Sequence, residues 1–284
     1  MPHSTPPSNE LQTVGRAGRL RSFVQRGGAA APSPRGSRPS RLLVGSAAAL
    51  LFLLVWKVAA DLIGKDIVLP PPERVLGIAT TLYPTRLFLE ALAATFLRGL
   101  SAFGLSAALG IAAGLAAGSW PLVDAALAPF LTVIRATPIL ALILLALLWF
   151  PSGFVPIFAA FLMAFPVMAT SAAQGAQAAD PRLLEMARLF RVPRRELFFR
   201  LRLPAAAPQL LAGARSALGL SWKVVVAGEV LSQPLRALGT GMQDARVLLE
   251  TGEVFAWAFA SVLLCGLTEW LFGLLAGRAA RHGL

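Results

Sequence analysis

Cysteine and histidine are almost absent from this sequence of 284 residues, which contains one cysteine and two histidines. Cys265 lies alone within an apolar run, so the chain cannot form an internal disulfide or a cysteine-rich metal site. His3 and His282 lie at opposite ends of the chain, which excludes haem ligation and intramembrane catalysis by a Ser/His pair. We therefore expect neither a metal nor a cofactor.

Charged residues are also scarce, at 14% of the chain, whereas 56% is hydrophobic. Such a composition is too apolar for an ordinary cytosolic protein of this size. The apolar runs recur along nearly the whole chain beyond residue 41, so they do not represent a single anchor on a soluble domain. The composition predicts a polytopic membrane protein.

Basic residues outnumber acidic residues by 26 to 14, an excess that would suit binding to nucleic acid. Seven of them lie within residues 1–41 and seven more lie between Arg182 and Arg202. Aromatic residues, on which bases would stack, are sparse in both regions. We predict no nucleic-acid partner.

Residues 1–41 are rich in proline, serine, glycine and arginine and cannot bury enough apolar surface to offset the entropy of ordering. We predict a disordered basic tail followed by a membrane domain at 42–284. The tail lacks the apolar core and cleavage site of a removable secretory signal, so the first apolar run is expected to remain as an anchor.

Six apolar windows are long enough to cross a membrane as helices of about 20 residues. They are long, rich in leucine and alanine, and without the two-residue alternation of barrel strands, so the sequence predicts an all-α fold. The windows are 42–61, 92–117, 125–149, 155–175, 208–231 and 254–276.

The distribution of lysine and arginine predicts the orientation of these spans. With both termini in the cytoplasm, the inner segments carry 16 basic residues and the outer segments carry 6, counting Lys57 at the outer end of the first window. This excess on the inner side predicts a multi-pass protein with its N-terminus and C-terminus in the cytoplasm.

The fourth connection, 176–208, is charged and amphipathic and lies on the predicted inner side. Asp180 followed by Pro181 is typical of a helix start, and Pro193 suits the start of a second helix. Apolar residues recur on one side of each helix. The pattern predicts a helical hairpin that either rests on lipid headgroups or docks onto another subunit.

The segment Asp-Pro-Arg-Leu-Leu-Glu-Met-Ala-Arg, at 180–188, is followed by Leu-Pro-Ala-Ala at 203–206 and by Pro208. It resembles the EAA loop in permease subunits of binding-protein-dependent ABC importers, with greatest similarity to the nitrate, sulfonate and taurine branch. The resemblance covers about residues 65–278. Its other parts are a proline-rich stretch at 68–75, Thr95, Arg98, Phe103, Arg-Ala-Thr-Pro at 135–138, and Gly-Glu at 228–229.

This resemblance implies an inner (plasma) membrane subunit that undergoes alternating access, driven by a separate ATP-binding subunit that receives the hairpin. It also implies a periplasmic or tethered solute-binding protein and a second permease copy, expected as a homodimer. The residues that the resemblance assigns to ATPase coupling are Asp180, Pro181, Glu185, Ala187, Arg191, Leu203 and Pro204.

Two residues depart from the pattern of the family. Met186 replaces an alanine, and Arg191 stands where the family has glycine between the two helices. A non-glycine residue in a left-handed conformation costs roughly 1 kcal/mol or more. Either the turn differs in this chain or Arg191 tolerates the strain.

The chain also lacks a phosphate-cradling loop of the form G-x-x-x-x-G-K-[ST]. Its lysines are Lys57, Lys65 and Lys223, and each is followed by valine or aspartate. If transport is active, the energy comes from another chain or from an ion gradient, and an ion-gradient-driven secondary transporter is the alternative. An enzyme within the bilayer is disfavoured because histidine pairs and clustered carboxylates are missing.

Ionisable residues within spans cost roughly 2.5–3.5 kcal/mol at the helix centre and are therefore candidates for function. Arg215, Trp222 and Glu229 recur every seven residues, which predicts a shared helix face. Such residues either form structural ion pairs, for example Glu229 with Arg135 or Arg98, or line the path of an anionic solute. The candidates for the path or gate are Arg135, Pro138, Arg215, Trp222, Lys223 and Glu229.

Three further expectations concern the spans. Arg98 is expected to extend to the outer interface, and Pro138 is expected to bend its helix beside Arg135. Glycines at four-residue spacing in the second span predict close helix packing. The branch resemblance and the intramembrane arginines favour a small anion, such as a sulfonate or nitrate, as the solute.

Overall fold

The computed structural model describes residues 41–281, which form helices and connecting segments with no strand in that range. The predicted all-α class is confirmed. The helices are α1 (Arg41–Ile63), α2 (Pro72–Leu82), α3 (Arg86–Ser119), α4 (Pro121–Ala136), α5 (Ile139–Trp149), α6 (Val155–Gln177), α7 (Pro181–Leu189), α8 (Arg194–Leu197), α9 (Leu203–Ser232), α10 (Leu238–Val247) and α11 (Thr251–Arg281). The predicted tail falls outside the described residues, apart from Arg41.

Five helices in the described range are long and apolar enough to cross a membrane: α1, α3, α6, α11 and the helix that runs from Arg195 to Ser232. Helices α4 and α5 form a sixth candidate, but they meet at a bend of 100°. The prediction of about six spans is therefore confirmed.

The bend between α4 and α5 occurs at Thr137 and Pro138, where the sequence predicted only a bent helix. Thr137 takes an extended conformation, with φ −74° and ψ 124°, because the ring of a following proline disfavours the helical conformation. Pro138 then precedes the first residue of α5. The window 125–149 therefore consists of two helices rather than one.

Helix α3 is the longest of the helices α1–α11. The Thr85 side chain accepts a hydrogen bond from the backbone N–H of Phe88 at 3.2 Å and caps its start. The helix ends at Ser119, shortly before Pro121 begins α4. Its 34 residues span roughly 51 Å at 1.5 Å per residue, more than the hydrocarbon thickness of about 30 Å. One or both ends therefore extend beyond the hydrocarbon layer.

The core forms where α6 packs against α3 on one side and α9 on the other. Small residues allow the approach of α3 to α6. A Cβ atom at Gly118 would lie 2.6 Å from the carbonyl oxygen of Ala173, and a Cβ atom at Gly114 would overlap the carbonyl oxygen of Ala169. The predicted close packing is confirmed, and it occurs within one chain.

A second group of contacts joins α2, α10 and α11. Val75 and Ala79 of α2 pack against Ala256, and Leu238 of α10 packs against Trp257. The Tyr83 hydroxyl donates a hydrogen bond to the Ala256 carbonyl oxygen at 2.8 Å, and burial raises the pKa of Tyr83. The sequence did not predict α2 or α10 as helices.

Helix α9 begins earlier than the predicted window at 208. A π-helical turn at Phe198–Arg202 joins α8 to α9, so the chain continues as helix from Arg194 to Ser232. Leu203 and Pro204 consequently lie inside a continuous helix, directly after the π-helical turn, where the Leu203 N–H donates to the Phe198 carbonyl oxygen. Pro204 has no N–H with which to continue this pattern.

Candidate functional site

Glu229 lies in α9 with no exposed surface. Arg98 in α3 donates a hydrogen bond from Nη1 to Glu229 Oε1 at 2.9 Å, and the Thr95 hydroxyl lies 2.9 Å from both carboxylate oxygens. A buried ion is stabilised only when its polar atoms have such partners. The carboxylate therefore links α9 to α3 through hydrogen bonds to Arg98 and Thr95.

The same carboxylate binds the start of α10. The backbone N–H of Gly239 donates to Glu229 Oε2 at 3.2 Å, and the N–H of Leu238 donates to the Thr95 hydroxyl at 3.0 Å. Helix N-termini attract negative charge. A Cβ atom at residue 239 would lie 2.5 Å from Glu229 Cβ, so glycine permits this approach.

Arg98 does not extend to an interface, and that expectation is wrong. Its side chain is only 15% exposed, and Nη1 also donates to the carbonyl oxygen of Arg236 at 2.8 Å. Of the two partners that the sequence offered Glu229, the structure selects Arg98. We call Glu229, Arg98, Thr95 and the first residues of α10 the Glu229 network.

Arg135 lies away from this network. Its side chain is exposed on α4, and Nη2 donates to the carbonyl oxygen of Pro166 in α6 at 3.2 Å. Pro138 follows at the bend between α4 and α5. The structure thus places a cation, linked to α6 by a backbone contact, beside the break in the helix.

The three residues at seven-residue spacing in α9 do not share one environment. Trp222 is 1% exposed and Glu229 is fully buried, whereas Arg215 is exposed. The helix face rotates by about 20° per seven residues, or about 40° between the first and the last. Lys223, which follows Trp222 in the sequence, is exposed like Arg215.

Trp222 occupies the space between α9 and α3. Its ring stacks on Phe96 with centroids 5.9 Å apart, and it lies against Gly99. Its buried Nε1 has no hydrogen-bond partner among the described residues. The side chain is thus a packed core residue with one unused donor.

Glu269 in α11 is a charged residue within a span that the sequence analysis missed. A Cβ atom at Gly219 would lie 2.5 Å from Glu269 Oε1, so the carboxylate lies against α9 one turn from both Arg215 and Lys223. Its presence as a carboxylate inside an apolar window was the signal that could have identified it.

Residues 176–208, the predicted hairpin, contain α7 where the first of its two helices was predicted. The second predicted helix is not a separate short helix, because it is the start of the continuous helix that runs from Arg194 to Ser232. The Asp180 carboxylate accepts a hydrogen bond from the backbone N–H of Arg182 at 2.9 Å and caps α7, with Pro181 as its first residue. Leu189 and Phe190 at the end of α7 are 81% and 77% exposed, although they are large and apolar. Glu185 is exposed on the same helix.

Arg191 joins α7 to α8 in a left-handed conformation with φ 51°. Its N–H donates to the carbonyl oxygen of Arg188 at 3.1 Å, and the N–H of Val192 donates to that of Ala187 at 2.9 Å. The turn therefore keeps the conformation that glycine favours, and Arg191 bears the strain.

Residues 106–282 match the family described as "Binding-protein-dependent transport system inner membrane component". The matched segment begins in α3 and includes the bend after α4, the hairpin and Glu229. Thr95 and Arg98 of the Glu229 network precede it.

Two relatives show how far the similarity extends. The taurine transport system permease protein of Escherichia coli (strain K12) is 31% identical over 239 residues, covering 82% of this chain and 86% of the relative. A permease protein of Bacillus subtilis (strain 168), named for the transport of aliphatic sulfonates, is 29% identical over 230 residues. The alignment covers 79% of this chain and 82% of the relative.

A solved structure shows a similar fold. The crystal structure of an amino acid ABC transporter with histidines contains a chain that aligns with a TM-score of 0.57 and 18% identity. The alignment covers 72% of this chain and 97% of that chain.

Proposed function

The chain belongs to the family of inner membrane components of binding-protein-dependent transport systems, and from this premise we propose that it forms the path of a small anion, such as a sulfonate or nitrate. It is an ABC transporter permease subunit, which is not itself an enzyme. A separate ATPase and a solute-binding protein are its partners in such a system.

The observation that supports an anionic solute is the set of exposed cations within spans. Arg135, Arg215 and Lys223 are exposed on helices that are otherwise apolar. Within the described range, none of these three side chains forms a salt bridge, because no carboxylate oxygen lies within 4.0 Å of its charged nitrogen atoms. Charges exposed to lipid are costly, so we assign these side chains to an aqueous path.

The names of two relatives support an anionic solute. Taurine and aliphatic sulfonates, which appear in the names of the two relatives, share a sulfonate group. Arginine and lysine bind such oxyanions through charge-assisted hydrogen bonds. We propose Arg135, Arg215 and Lys223 as ligands or attractive charges along the path, with Pro138 at a gate and Trp222 and Glu229 supporting its walls.

We propose that two copies of the chain form the path together. The three cations are exposed on a single copy, and a second copy would enclose them away from lipid. The excess of basic residues in the segments that contain both termini and the hairpin supports an orientation with those segments in the cytoplasm. The hairpin would then face the ATP-binding subunit.

Neutralising the cations tests the solute class. We expect Lys223→Gln and Arg135→Gln each to raise the KM for uptake about tenfold or more, the effect of losing one charged contact worth roughly 1.4 kcal/mol. The measurement is uptake of radiolabelled taurine, and separately nitrate, by the complete complex in proteoliposomes.

The matched control is Arg246→Gln, which removes an exposed cation at the end of α10, outside the long spans. It should leave the KM within about twofold of the original value. Two results would contradict the anionic path. The KM could stay unchanged in both span variants, or a neutral solute could compete with the anions for uptake equally well in every variant.

A further inference from the structure

A cavity of about 860 Å³ lies between the end of α3 and the hairpin. Its walls come from the last turns of α3, from α7 and the turn that follows it, and from the π-helical turn before α9. The lining includes apolar residues, among them Leu115, Trp120 and Phe198, and three arginines, Arg188, Arg191 and Arg202.

The charged residues that line this cavity are all arginines. No aspartate or glutamate lines it, and none of its three arginines forms a salt bridge within the described range. Arg202 makes a weak hydrogen bond from Nη1 to the Ser119 hydroxyl at 3.3 Å, while its Nε is buried without a partner among the described residues. An unpaired guanidinium nitrogen out of water is costly.

The conformation of Arg191 supports a specific use of the cavity. A left-handed conformation favours glycine, yet the residue at φ 51° is an arginine that lines the cavity. Strained residues persist where their side chains are needed for binding. Arg191 is thus the third arginine that lines the cavity, and we interpret its strained backbone as the cost of this position.

The size of the cavity indicates the size of its ligand. Sites for small organic ligands have volumes of about 300–1,000 Å³, and this cavity of about 860 Å³ falls within that range. That volume suits an organic molecule rather than a bare inorganic ion. The apolar wall suits carbon atoms, and the guanidinium groups suit phosphate or sulfonate oxygens, which arginine binds in pairs.

We propose that this cavity binds an organic oxyanion, a molecule with a phosphate or sulfonate group, at the hairpin end of the bundle. Because the cavity touches both α3 and the hairpin, bound anion stabilises the hairpin against the bundle. The ligand is either the headgroup of an anionic phospholipid or a soluble organic anion. The site does not depend on which solute the path carries.

The test uses the full chain purified in an uncharged detergent, with its melting temperature measured at constant ionic strength. The probes are glycerol 3-phosphate, ethanesulfonate and a short-chain phosphatidylglycerol, each against sodium chloride. We expect a saturable rise in melting temperature with at least one probe. A rise with the soluble probes identifies a soluble anion, and a rise with phosphatidylglycerol alone identifies a lipid headgroup.

Arginine variants locate the site. Arg202→Gln and Arg188→Gln should each raise the apparent Kd at least about tenfold for the probe that raises the melting temperature, as expected for the loss of a charge-assisted hydrogen bond. Arg195→Gln and Arg200→Gln remove exposed arginines of the same hairpin that do not line the cavity. They should change the Kd by less than about twofold.

Arg202 contacts Ser119, so its variant is expected to lower stability as well. Arg188 is exposed and its side chain forms no such hydrogen bond within the described range, so the Arg188 variant keeps the test decisive. The proposal is overturned if no probe raises the melting temperature, or if all four variants weaken the effect equally. It is also overturned if the effect disappears once the ATP-binding subunit is assembled, since the partner would then fill the cavity.

Discussion

Glu229→Ala is expected to lower the free energy of unfolding by about 3–5 kcal/mol, the usual cost of removing one partner from a buried ion pair. The substitution leaves Arg98, Thr95 and the N–H of Gly239 without their common acceptor. Helices α3, α9 and α10 lose their shared contact at the same time. We expect the melting temperature to fall by several degrees and transport by the complete complex to be lost.

A double-mutant cycle separates the ion pair from general packing. Arg98→Gln and Glu229→Gln each leave an uncompensated charge, whereas the double variant leaves none. We therefore expect the double variant to be more stable than the sum of the two single effects predicts, by about 1–3 kcal/mol. Strict additivity would contradict the assigned role of the Glu229 network.

The matched control for this cycle is the pair formed by Arg86 and Glu90. Their N–O distance is 2.8 Å, and Glu90 also pairs with Arg236 at 2.9 Å, but the Arg86 and Arg236 side chains are 90% and 60% exposed. Exposed pairs contribute about 0–1 kcal/mol. Glu90→Gln should therefore change the melting temperature much less than Glu229→Gln, although both substitutions remove one negative charge.

Substitutions in the hairpin are expected to abolish coupling without unfolding the permease. Leu189→Asp and Phe190→Asp place a charge on side chains that are 81% and 77% exposed, so the fold loses little. If these side chains are buried against the ATP-binding subunit, a charge there opposes docking. We expect solute-stimulated ATP hydrolysis by the assembled complex to fall at least about tenfold, whereas the melting temperature of the isolated permease stays unchanged.

Two further variants sharpen this test. Glu185→Lys reverses an exposed charge that the family resemblance assigns to coupling, and it should also lower the stimulation. Leu235→Asp is the matched control, because Leu235 is 91% exposed but lies between α9 and α10, away from the hairpin. Undiminished stimulation in the Leu189 and Phe190 variants, or an equal loss in Leu235→Asp, would argue against docking through the hairpin.

Much of the membrane architecture follows directly from the sequence, because hydrophobic windows and proline positions are local signals. The spans, the start of α7 after Asp180 and the bend at Pro138 could be predicted in this way, whereas the second helix of the predicted hairpin proved to be the start of the long helix that ends at Ser232. The position of Arg98 could not, because the predicted span began at 92 while the capped helix begins at Arg86. Arg98 therefore lies twelve residues into α3 and can pair with a buried residue.

The remaining errors arise from tertiary structure. Helix α10 has only ten residues, too few for a clear periodic pattern, and it is held by backbone N–H groups that bind Glu229 and Thr95. Such contacts leave no trace in side-chain composition. The same applies to Glu269, whose position against Gly219 depends on how α11 packs on α9.

We propose that this chain moves solute only when a nucleotide-driven partner acts on its hairpin. The decisive measurement is uptake of radiolabelled taurine and nitrate into proteoliposomes, with the permease alone or with its ATP-binding subunit and solute-binding protein. The account predicts uptake of at least one of these anions by the complete complex with ATP, and none by the permease alone under a proton or sodium gradient. Gradient-driven uptake by the permease alone, at a rate that ATP and the partners do not change, would contradict it.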